Sequence, residues 1–490
     1  MKFTNKKILA YALALTLPLT LAGCAAAAQA APAVATAMLS ESASAAAVTV
    51  APVSDPAEEG RAATGSFFVI DAEGTAVEES SGVWMIRSAG EYTLTGALGN
   101  GQIVVDAGDE DVVVLILDNV SIRCADGAPI LILNADDVTV KAAEGSYNTV
   151  TDARTGNAEN EEYDAAIWSD CDLKLRGKGT LIVTSSYAKG VKSTDDLSVK
   201  NLTLKVDAAD TALRGKDSVT VESGALLLIS ESGDGVNSDA DILIEDGSVT
   251  IRVGDDGMHA DGTLTIAGGT VCIEQSHEGL EANVVNIDGG STCVYGSDDG
   301  VNARRGDATP LVSVTGGYLE VITPSGDTDA IDSNGNFTMT GGFVLVRGGA
   351  AMGGMAGSVD CDGSVTVTGG SIVALGGVCS VPSGNSVNTW ISTNTSLSAG
   401  DYTLTDSEGN EILSFTLSGS YSGVWIASDA IVLGETYTLS RSGSRAAQWT
   451  QSSSAVGSAG MAGMGGFGGM GGFAGQGGQF PGGQSGKGRA

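Results

Sequence analysis

The chain has 490 residues, of which 25 are Lys or Arg and 59 are Asp or Glu, so its formal net charge is 25 − 59 = −34. Hydrophobic residues make up 42% of the sequence, which is enough to bury a sizeable core and excludes wholesale disorder. The scarcity of basic residues argues against a nucleic-acid-binding protein, because such proteins need a surface that neutralises phosphates. Cations and neutral or basic ligands are the favoured partners.

The first 24 residues have the pattern of an export signal. Three lysines precede an apolar run from Ile8 to Leu19, which is shorter than the roughly 20 residues that span a membrane. The run closes in Leu21-Ala22-Gly23-Cys24, which resembles the lipobox of bacterial lipoproteins. That resemblance implies lipidation at Cys24 and attachment to the outer face of the cell membrane. Ordinary signal cleavage near Ala28 is the alternative.

Residues 25–65 are rich in Ala, Ser, Val and Pro and contain few large apolar side chains. Such a stretch cannot build a core, so we interpret it as a disordered tether. A chain anchored at Cys24 would expose its folded part at the cell surface. The lipid would then be its sole contact with the membrane.

One short pattern recurs along the middle of the chain: an acidic or small residue, then Gly or Ala, then an aliphatic residue and usually a polar one. Its aliphatic positions, which are 24, 22, 23, 22, 22, 21 and 30 residues apart, are Ile167, Val191, Leu213, Val236, Met258, Leu280, Val301 and Ile331. Each repeat contains three short segments with period-two alternation, which is typical of half-buried strands. A repeat of about 22 residues is too short for a propeller blade and lacks the leucine ladder of leucine-rich repeats. The pattern predicts an all-β parallel β-helix with three short strands per coil.

The repeats divide the rest of the chain. We predict the β-helix over residues 66–385, including looser first coils upstream of the regular pattern. Residues 386–445 contain four alternating segments that predict a small antiparallel β cap over the exposed edge of the solenoid. Residues 446–490 are rich in Gly, Met, Gln and Ser and are predicted to form a disordered tail.

Stacked coils would align the polar residues of the pattern into two columns. Carboxylates stand before the Gly or Ala at Asp210, Asp234, Asp255, Asp256, Glu278, Asp298, Asp299 and Asp329. Two residues after it stand Lys192, Arg214, Asn237, His259, Glu281, Asn302 and Asp332. Carboxylates one coil apart repel unless they are protonated or neutralised, and clustered oxygens suit Ca²⁺. The alternative is that Asp-Gly merely forms the turn, since both residues favour turns.

Segments such as Gly233–Ser238, Asp255–Asp261 and Asp329–Asn334 resemble the clostridial carbohydrate-binding β-helix family, and the likeness covers roughly residues 66–442. The resemblance implies a right-handed parallel β-helix with bound calcium, similar to pectate lyases. It also implies an exported, often lipid-anchored protein that binds cellulose and polygalacturonate. Calcium is implied only at the matching acidic positions, because Lys192 and Arg214 depart from the family pattern.

The expected function is non-catalytic, calcium-dependent binding of plant cell-wall polysaccharide by a monomer. Calcium would bridge the carboxylates to uronate groups, with Asn237, His259 and Asn302 at the ligand surface. Aromatic side chains that could stack on sugar rings, or simply pack at a coil edge, are Trp168, Tyr187, Tyr295 and Tyr318.

Two other functions stay open. A calcium-dependent polysaccharide lyase needs a basic residue that removes a proton, and Arg214 or Lys192 would supply it. A surface adhesin or spacer needs no sugar site at all.

Overall fold

In a computed structural model, the structure describes residues 69–71, 77–156, 162–326, 328–348, 357–377, 380–382 and 384–458. The predicted signal peptide with Cys24, the predicted tether and most of the predicted tail lie outside these residues. Within them, no helix is long and apolar enough to span a membrane.

The described residues form strands joined by turns. The first nine strands are β1 (Val69–Asp71), β2 (Glu78–Ser80), β3 (Val83–Ile86), β4 (Gly90–Leu98), β5 (Gln102–Asp106), β6 (Val112–Cys124), β7 (Ile130–Asn134), β8 (Asp137–Ala142) and β9 (Tyr147–Asp152). The next twelve are β10 (Ala165–Ser169), β11 (Asp172–Gly177), β12 (Thr180–Ser185), β13 (Lys189–Ser193), β14 (Asp196–Lys200), β15 (Leu202–Ala208), β16 (Leu213–Gly215), β17 (Ser218–Val221), β18 (Gly224–Ser230), β19 (Val236–Ser238), β20 (Asp241–Ile244) and β21 (Ser248–Arg252).

The second half of the chain continues the same pattern before it changes direction. It contains β22 (Met258–Ile266), β23 (Thr270–Gln275), β24 (Leu280–Ile287), β25 (Ser291–Tyr295), β26 (Val301–Ala303), β27 (Leu311–Val314), β28 (Tyr318–Ile322), β29 (Ile331–Ser333), β30 (Asn336–Met339), β31 (Phe343–Arg347), β32 (Val359–Cys361), β33 (Val365–Val367) and β34 (Ser371–Leu375). The C-terminal strands are β35 (Thr389–Leu397), β36 (Gly400–Thr405), β37 (Glu411–Leu417), β38 (Tyr421–Ser428), β39 (Thr436–Arg441), β40 (Ser444–Thr450) and β41 (Ala455–Ser458).

Three parallel ladders run along the molecule, and each pairs a strand with its equivalent one coil later. The first face contains β3, β5, β7, β10, β13, β16, β19, β22, β24, β26, β29 and β32. The second face runs from β4 to β33, and the third from the end of β4 to β34. The all-β solenoid that the repeats predict is confirmed.

Alternation places one apolar column inside the solenoid. In β15, every second residue from Leu202 to Ala208 is buried while those between are half-exposed. The aliphatic residue of each repeat is fully buried, and Val236 pairs with Met258, which in turn pairs with Leu280. Each fully buried aliphatic side chain contributes about 1.5–3 kcal/mol, so the column stabilises the fold coil by coil.

The Gly of the repeat is required by the contact between coils. A Cβ added to Gly279 would collide with Val294 Cγ1 and with the carbonyl oxygen of Gly300 on the next coil. Gly279 is not among the glycines with positive φ, so its constraint is steric. Ala serves in the same position only where the neighbouring coil leaves room.

We therefore expect Gly279→Ala to lower the free energy of unfolding by about 1–3 kcal/mol, the usual cost of overpacking. Urea titration followed by circular dichroism measures this change. The matched control is Gly99→Ala, because a Cβ at Gly99 would meet nothing within 4 Å. Equal midpoints for the two variants would contradict the steric explanation.

An antiparallel cap closes the C-terminal end. Strand β38 pairs with the last parallel strand, β34, and places Trp425, which is fully buried, against the solenoid core. A separate sheet in the order β37-β36-β39-β40 packs over Leu345, Val373 and Leu375, which point out of the third face. The predicted C-terminal cap is confirmed. Besides the end of the solenoid, it also covers the outer side of the third face. Strands β40 and β41 extend into the predicted tail, so the folded region reaches at least Ser458.

Reversed strands also lie at the N-terminal end, where β1 pairs antiparallel with β4 and β2 with β3.

A buried ion pair joins the third face to the cap. The Arg347 guanidinium contacts the Glu320 carboxylate, and their side chains are 2% and 3% exposed. Tyr318 Oη donates to Glu320 at 3.0 Å, and Arg347 Nη1 donates to Ser418 Oγ at 2.8 Å, just after β37. This contact links β31 of the solenoid to the cap sheet.

Candidate functional site

The first face carries a continuous row of outward-pointing side chains. Strand register pairs each member with the equivalent residue one coil later, beginning with Trp168 and Lys192. This outward row consists of Trp168, Lys192, Arg214, Asn237, His259, Glu281, Asn302, Asp332 and Asp360. Its character changes along the solenoid from aromatic and cationic to polar and then acidic.

A second row of carboxylates lies in the turns that lead into the first face. This acidic row consists of Asp164, Asp210, Asp234, Asp256, Glu278, Asp299 and Asp329. The amide of Asp256 donates to Asp234 Oδ1 at 3.1 Å, and that of Glu278 donates to Asp256 Oδ1 at 3.3 Å. The amide of Asp329 likewise donates to Asp299 Oδ1 at 2.9 Å. These carboxylates therefore stabilise the turns by accepting backbone hydrogen bonds, which is the turn-forming role given above as the alternative to calcium binding. The second oxygen of each carboxylate remains for other contacts.

Two lysines neutralise the N-terminal end of the acidic row. Lys189 Nζ lies 3.0 Å from Asp164 Oδ2 and 2.6 Å from Asp210 Oδ2, while Lys192 Nζ lies 2.7 Å from Asp164 Oδ1. Burial opposes ionisation of Asp210, but the Lys189 ammonium outweighs it and holds the pKa of that carboxyl below its usual value. Asp210, a candidate calcium ligand by sequence, is thus already paired with a cation.

The middle of the two rows is short of positive charge. Burial, reinforced by neighbouring carboxylates, raises the pKa of Asp299 to about 7 and the pKa values of Asp234 and Asp332 to about 6. Burial and the adjacent Glu278 raise the pKa of Glu281 to about 8. Glu281 already lies 2.7 Å from Arg304 Nε, and the other three carboxyl groups would gain from a bound cation at neutral pH.

His259 sits in a network that sequence reasoning does not reveal. Its Nδ1 lies 3.0 Å from Asp256 Oδ2, and the hydrogen bond to Asp256 raises the pKa of His259 to about 9. Arg304 Nη2 lies 3.0 Å from His259 Nε2, and Arg304 Nε lies 2.7 Å from Glu281 Oε1. Because a guanidinium can only donate, the Arg304 contact holds as drawn only while Nε2 is an acceptor. Protonation of His259 would therefore break this one contact, while Asp261 and Glu281 would still hold the Arg304 guanidinium.

Several acidic groups converge within metal-binding range. Ligand atoms of Asp255, Asp256 and His277 lie within 4.8 Å of one another, as do those of His277, Glu278 and Asp298. We call these residues the outer cluster. An inner group with the same property consists of Asp256, His259 and Glu281, and a third group lies between the first and second faces at Asp172, Asp195 and Asp196.

Two amides of the outward row contact the acidic row. Asn237 Nδ2 donates to Asp234 Oδ2 at 2.5 Å, and Asn302 Nδ2 donates to Glu278 Oε2 at 2.9 Å. Asn302 Oδ1 is buried and has no hydrogen-bond partner among the described residues. A buried acceptor without a donor is costly, so this oxygen calls for a positively charged or donating partner beside Glu278.

The sequence also matches a known family over half of its length. The family model of carbohydrate-binding domain-containing proteins matches residues 80–327. The chain belongs to this family. Carbohydrate binding is therefore the general function of the solenoid.

Two relatives extend the comparison. A carbohydrate-binding domain-containing protein of Acetivibrio thermocellus is 34% identical over 125 residues, which is 24% of this chain and 44% of that protein. The chain thus matches less than half of that relative's length. A solved structure of a polysaccharide lyase-like protein from C. thermocellum, a gadolinium derivative, is 27% identical with a TM-score of 0.38, and covers 44% of this chain and 86% of its own.

The matched part of the carbohydrate-binding domain includes most of the two rows. Residues 80–327 contain the acidic row as far as Asp299 and the whole outer cluster. Asp329 and Asp332 lie beyond the match. The outer cluster and Asn302 are therefore inside the family region.

The aromatic candidates are not the open sugar platform that the sequence suggests. Trp168 is 5% exposed because Tyr163 covers it edge-on at 4.9 Å, and Tyr318 is 9% exposed and stacks on Phe343 at 5.9 Å. Both side chains are packed at a coil edge, which is the alternative that the sequence leaves open. Tyr187 is half-buried with the Arg154 guanidinium 4.3 Å from its ring centroid, and Tyr295 is half-buried.

Both candidate lyase bases are engaged in ion pairs. Lys192 contacts Asp164, while Arg214 Nη2 lies 2.6 Å from Asp239 Oδ1 and Nη1 donates to Asn237. The side chain of each residue is at least three-quarters buried. Removing a substrate proton would require either residue to leave its carboxylate first.

Proposed function

We propose that this carbohydrate-binding domain binds polygalacturonate or a similar acidic plant polysaccharide without cleaving it, through Ca²⁺ held at the outer cluster and Asn302. The observation that carries the proposal is the buried Asn302 Oδ1, which lacks a described partner while Nδ2 of the same amide orients Glu278. Amide and carboxylate oxygens are the donors that Ca²⁺ prefers.

The oxygen atoms of the outer cluster and Asn302 are of the kinds that calcium binds. Asp255 and Asp256 offer one converging pair of carboxylates, and Glu278 and Asp298 offer another. Asn302, whose Nδ2 contacts Glu278, adds a neutral oxygen. His277 offers nitrogen, which suits transition metals better than calcium, so we do not assign it as a ligand. When bound, Ca²⁺ would supply the positive charge that lets an acidic surface bind a uronate carboxylate.

Charge explains why a cation is needed at all. The chain has a net charge of −34, and like charges repel a polyuronate at close range. The residues of the rows would orient the polymer, since Asn237 and His259 present polar atoms next to the carboxylates. Because Lys192 and Arg214 are both ion-paired, we assign no proton-transfer step to them.

We place the protein at the bacterial cell surface as a monomer. This rests on the lipobox-like residues at Cys24 and on the export signal, both in the sequence outside the described residues. The solenoid then stands on its tether with the two rows available to a long polymer chain.

At about 0.15 M salt, which screens exposed charges beyond about 8 Å, retention on polygalacturonate is expected to require calcium and to be lost in the double variant Glu278→Gln with Asn302→Ala. Pull-down with calcium or with chelator measures retention, and ultraviolet absorbance of unsaturated uronate measures cleavage in the same samples. We expect the double variant to bind at least about tenfold more weakly, the equivalent of about 1.4 kcal/mol. Calorimetric titration with calcium alone should show the same loss.

The matched control is Asn286→Ala, which removes a half-buried amide from the second face, where Nδ2 contacts Thr265 Oγ1 at 3.3 Å. It should bind as the wild type does. Retention at about 0.15 M salt that is unchanged by chelator would contradict the calcium role. Rising absorbance would favour a lyase, and no retention on polygalacturonate or cellulose would favour an adhesin or spacer.

A further inference from the structure

A cleft of about 430 Å³ opens at the turn between the second and third faces, on the first coils of the solenoid. Its lining includes Ile116, Lys141, Glu144, Gly177, Lys178 and Asn201. It lies where β8 and β11 end and where β6 passes from the second face to the third, whereas the acidic row lies in the turns that enter the first face. This volume is within the range of small-ligand sites, roughly 300–1,000 Å³.

The cleft concentrates positive charge in a strongly acidic protein. Register stacks Ile116, Lys141, Arg176 and Lys200 in one row along the second face. Both Arg176 and Lys200 contact Glu222, which lies two coils beyond Arg176 and one coil beyond Lys200, so both are paired.

The two lysines of the cleft differ from these neighbours. Lys141 and Lys178 are exposed, and among the described residues neither forms an ion pair. Glu144 lines the same cleft without lying within ion-pair distance of either ammonium. Since a free ammonium retains its full charge for a ligand, the pair can act on one anion.

The rest of the lining suits a sugar. Ser223 Oγ donates to Asn201 Oδ1 at 3.1 Å, so the Asn201 amide is oriented with Nδ2 as the group left to donate. Asn201 has a φ of 56°, and Gly177 has a φ of 118°; the Gly177 position has no room for a Cβ against Ala142. The floor is therefore built from tight, well-defined turns. Ile116 adds an apolar surface for the carbon face of a ring.

We propose that this cleft is a calcium-independent subsite for a carboxylate-bearing sugar. Lys141 and Lys178 bind the carboxylate, Asn201 Nδ2 and the Glu144 carboxylate bind ring hydroxyls, and Ile116 contacts the apolar face. The identity of the ligand as a uronate rests on the proposed function, but the subsite does not depend on the outer cluster. It needs no cation because the lysines themselves supply the charge.

The test is calorimetric titration of trigalacturonate into the full chain carrying Cys24→Ala, in chelator at low salt. We expect binding that weakens with added salt, because both partners are exposed charges. The double variant Lys141→Gln with Lys178→Gln should bind at least about tenfold more weakly. The control Lys216→Gln removes one lysine charge from the exposed turn between the first and second faces, and should change affinity less than about twofold.

Each outcome decides the proposal. It is overturned if trigalacturonate fails to bind the wild type in chelator, or binds the double variant equally well. Equal binding of cellotriose would overturn the carboxylate assignment, and selective binding of inorganic phosphate would overturn the sugar assignment. The double variant should keep its calcium-dependent retention on polygalacturonate at about 0.15 M salt. If the wild type binds trigalacturonate in chelator but shows no calcium-dependent retention, the proposed function is overturned and the subsite stands.

Discussion

Replacing Arg347 by methionine is expected to lower the free energy of unfolding by about 3–5 kcal/mol, because it leaves the buried Glu320 carboxylate without its cation. Burial already raises the pKa of Glu320, and the Arg347 guanidinium opposes that effect. Arg347 also contacts Ser418 at the cap. The loss should therefore loosen the cap from the third face before the coils themselves unfold.

Urea unfolding measured by tryptophan fluorescence tests this, since the cap contains the buried Trp390, Trp425 and Trp449. The control is Arg305→Met. In the wild type, Arg305 lies 3.0 Å from Asp362, and their side chains are 77% and 60% exposed. Such an exposed ion pair should contribute less than about 1 kcal/mol to the free energy of unfolding. The second variant Glu320→Gln with Arg347→Met removes both charges and should recover part of the loss. Similar unfolding midpoints for Arg347→Met and Arg305→Met would show that the buried pair has no special role.

In chelator, the folded protein is expected to lose stability as the pH rises from about 5 to 8. The pKa of Asp299 is about 7 and that of Glu281 about 8 in the folded chain, well above the ordinary values of their unfolded forms, about 3.9 and 4.3. The folded state therefore binds more protons across this window, and stability falls as they leave. His259 acts in the same direction. Its pKa is about 9 in the folded chain and about 6.5 in the unfolded chain, so the stability that its charged form adds is lost as the pH rises between these values.

Thermal unfolding at pH 5, 6.5 and 8 measures the effect, and we expect the midpoint to fall by roughly 5 °C or more. Calcium at 100 times its pH 8 dissociation constant should restore about 2.7 kcal/mol at pH 8, and much less at pH 5, where protons on Asp299 and Glu281 already relieve the repulsion between carboxylates. Asp299→Asn should flatten the profile. A profile independent of pH, or equal calcium stabilisation at pH 5 and 8, would refute the charge argument.

The repeat allows the solenoid to be predicted from the sequence because each coil obeys the same local rule. A Gly, a buried aliphatic residue and an outward polar residue fix the register, so the row from Lys192 to Asp332 follows from spacing alone. The cap is also predictable, since a solenoid edge needs cover. The extension of the cap to Ser458 is not predictable, because β40 and β41 border the Gly-rich tail and share its polar, small-residue composition.

The chemistry of the rows depends on contacts that spacing does not encode. Arg304 reaches back two coils to His259, and Lys189 bridges two acidic residues on either side of its own coil. Trp168 has outward alternation but is covered by Tyr163, which comes from an irregular turn. Alternation gives the direction of a side chain, whereas burial also depends on what the turns place above it.

The reversed strands at both ends set a limit on assembly. A bare parallel edge is a template on which an identical chain could continue the ladder, coil on coil, into a filament. Here β38 meets β34 in the opposite direction at one end, and β1 and β2 do the same at the other. At these described strands an incoming copy would find no parallel edge to continue, so the reversed strands work against end-to-end growth of the ladders they cover.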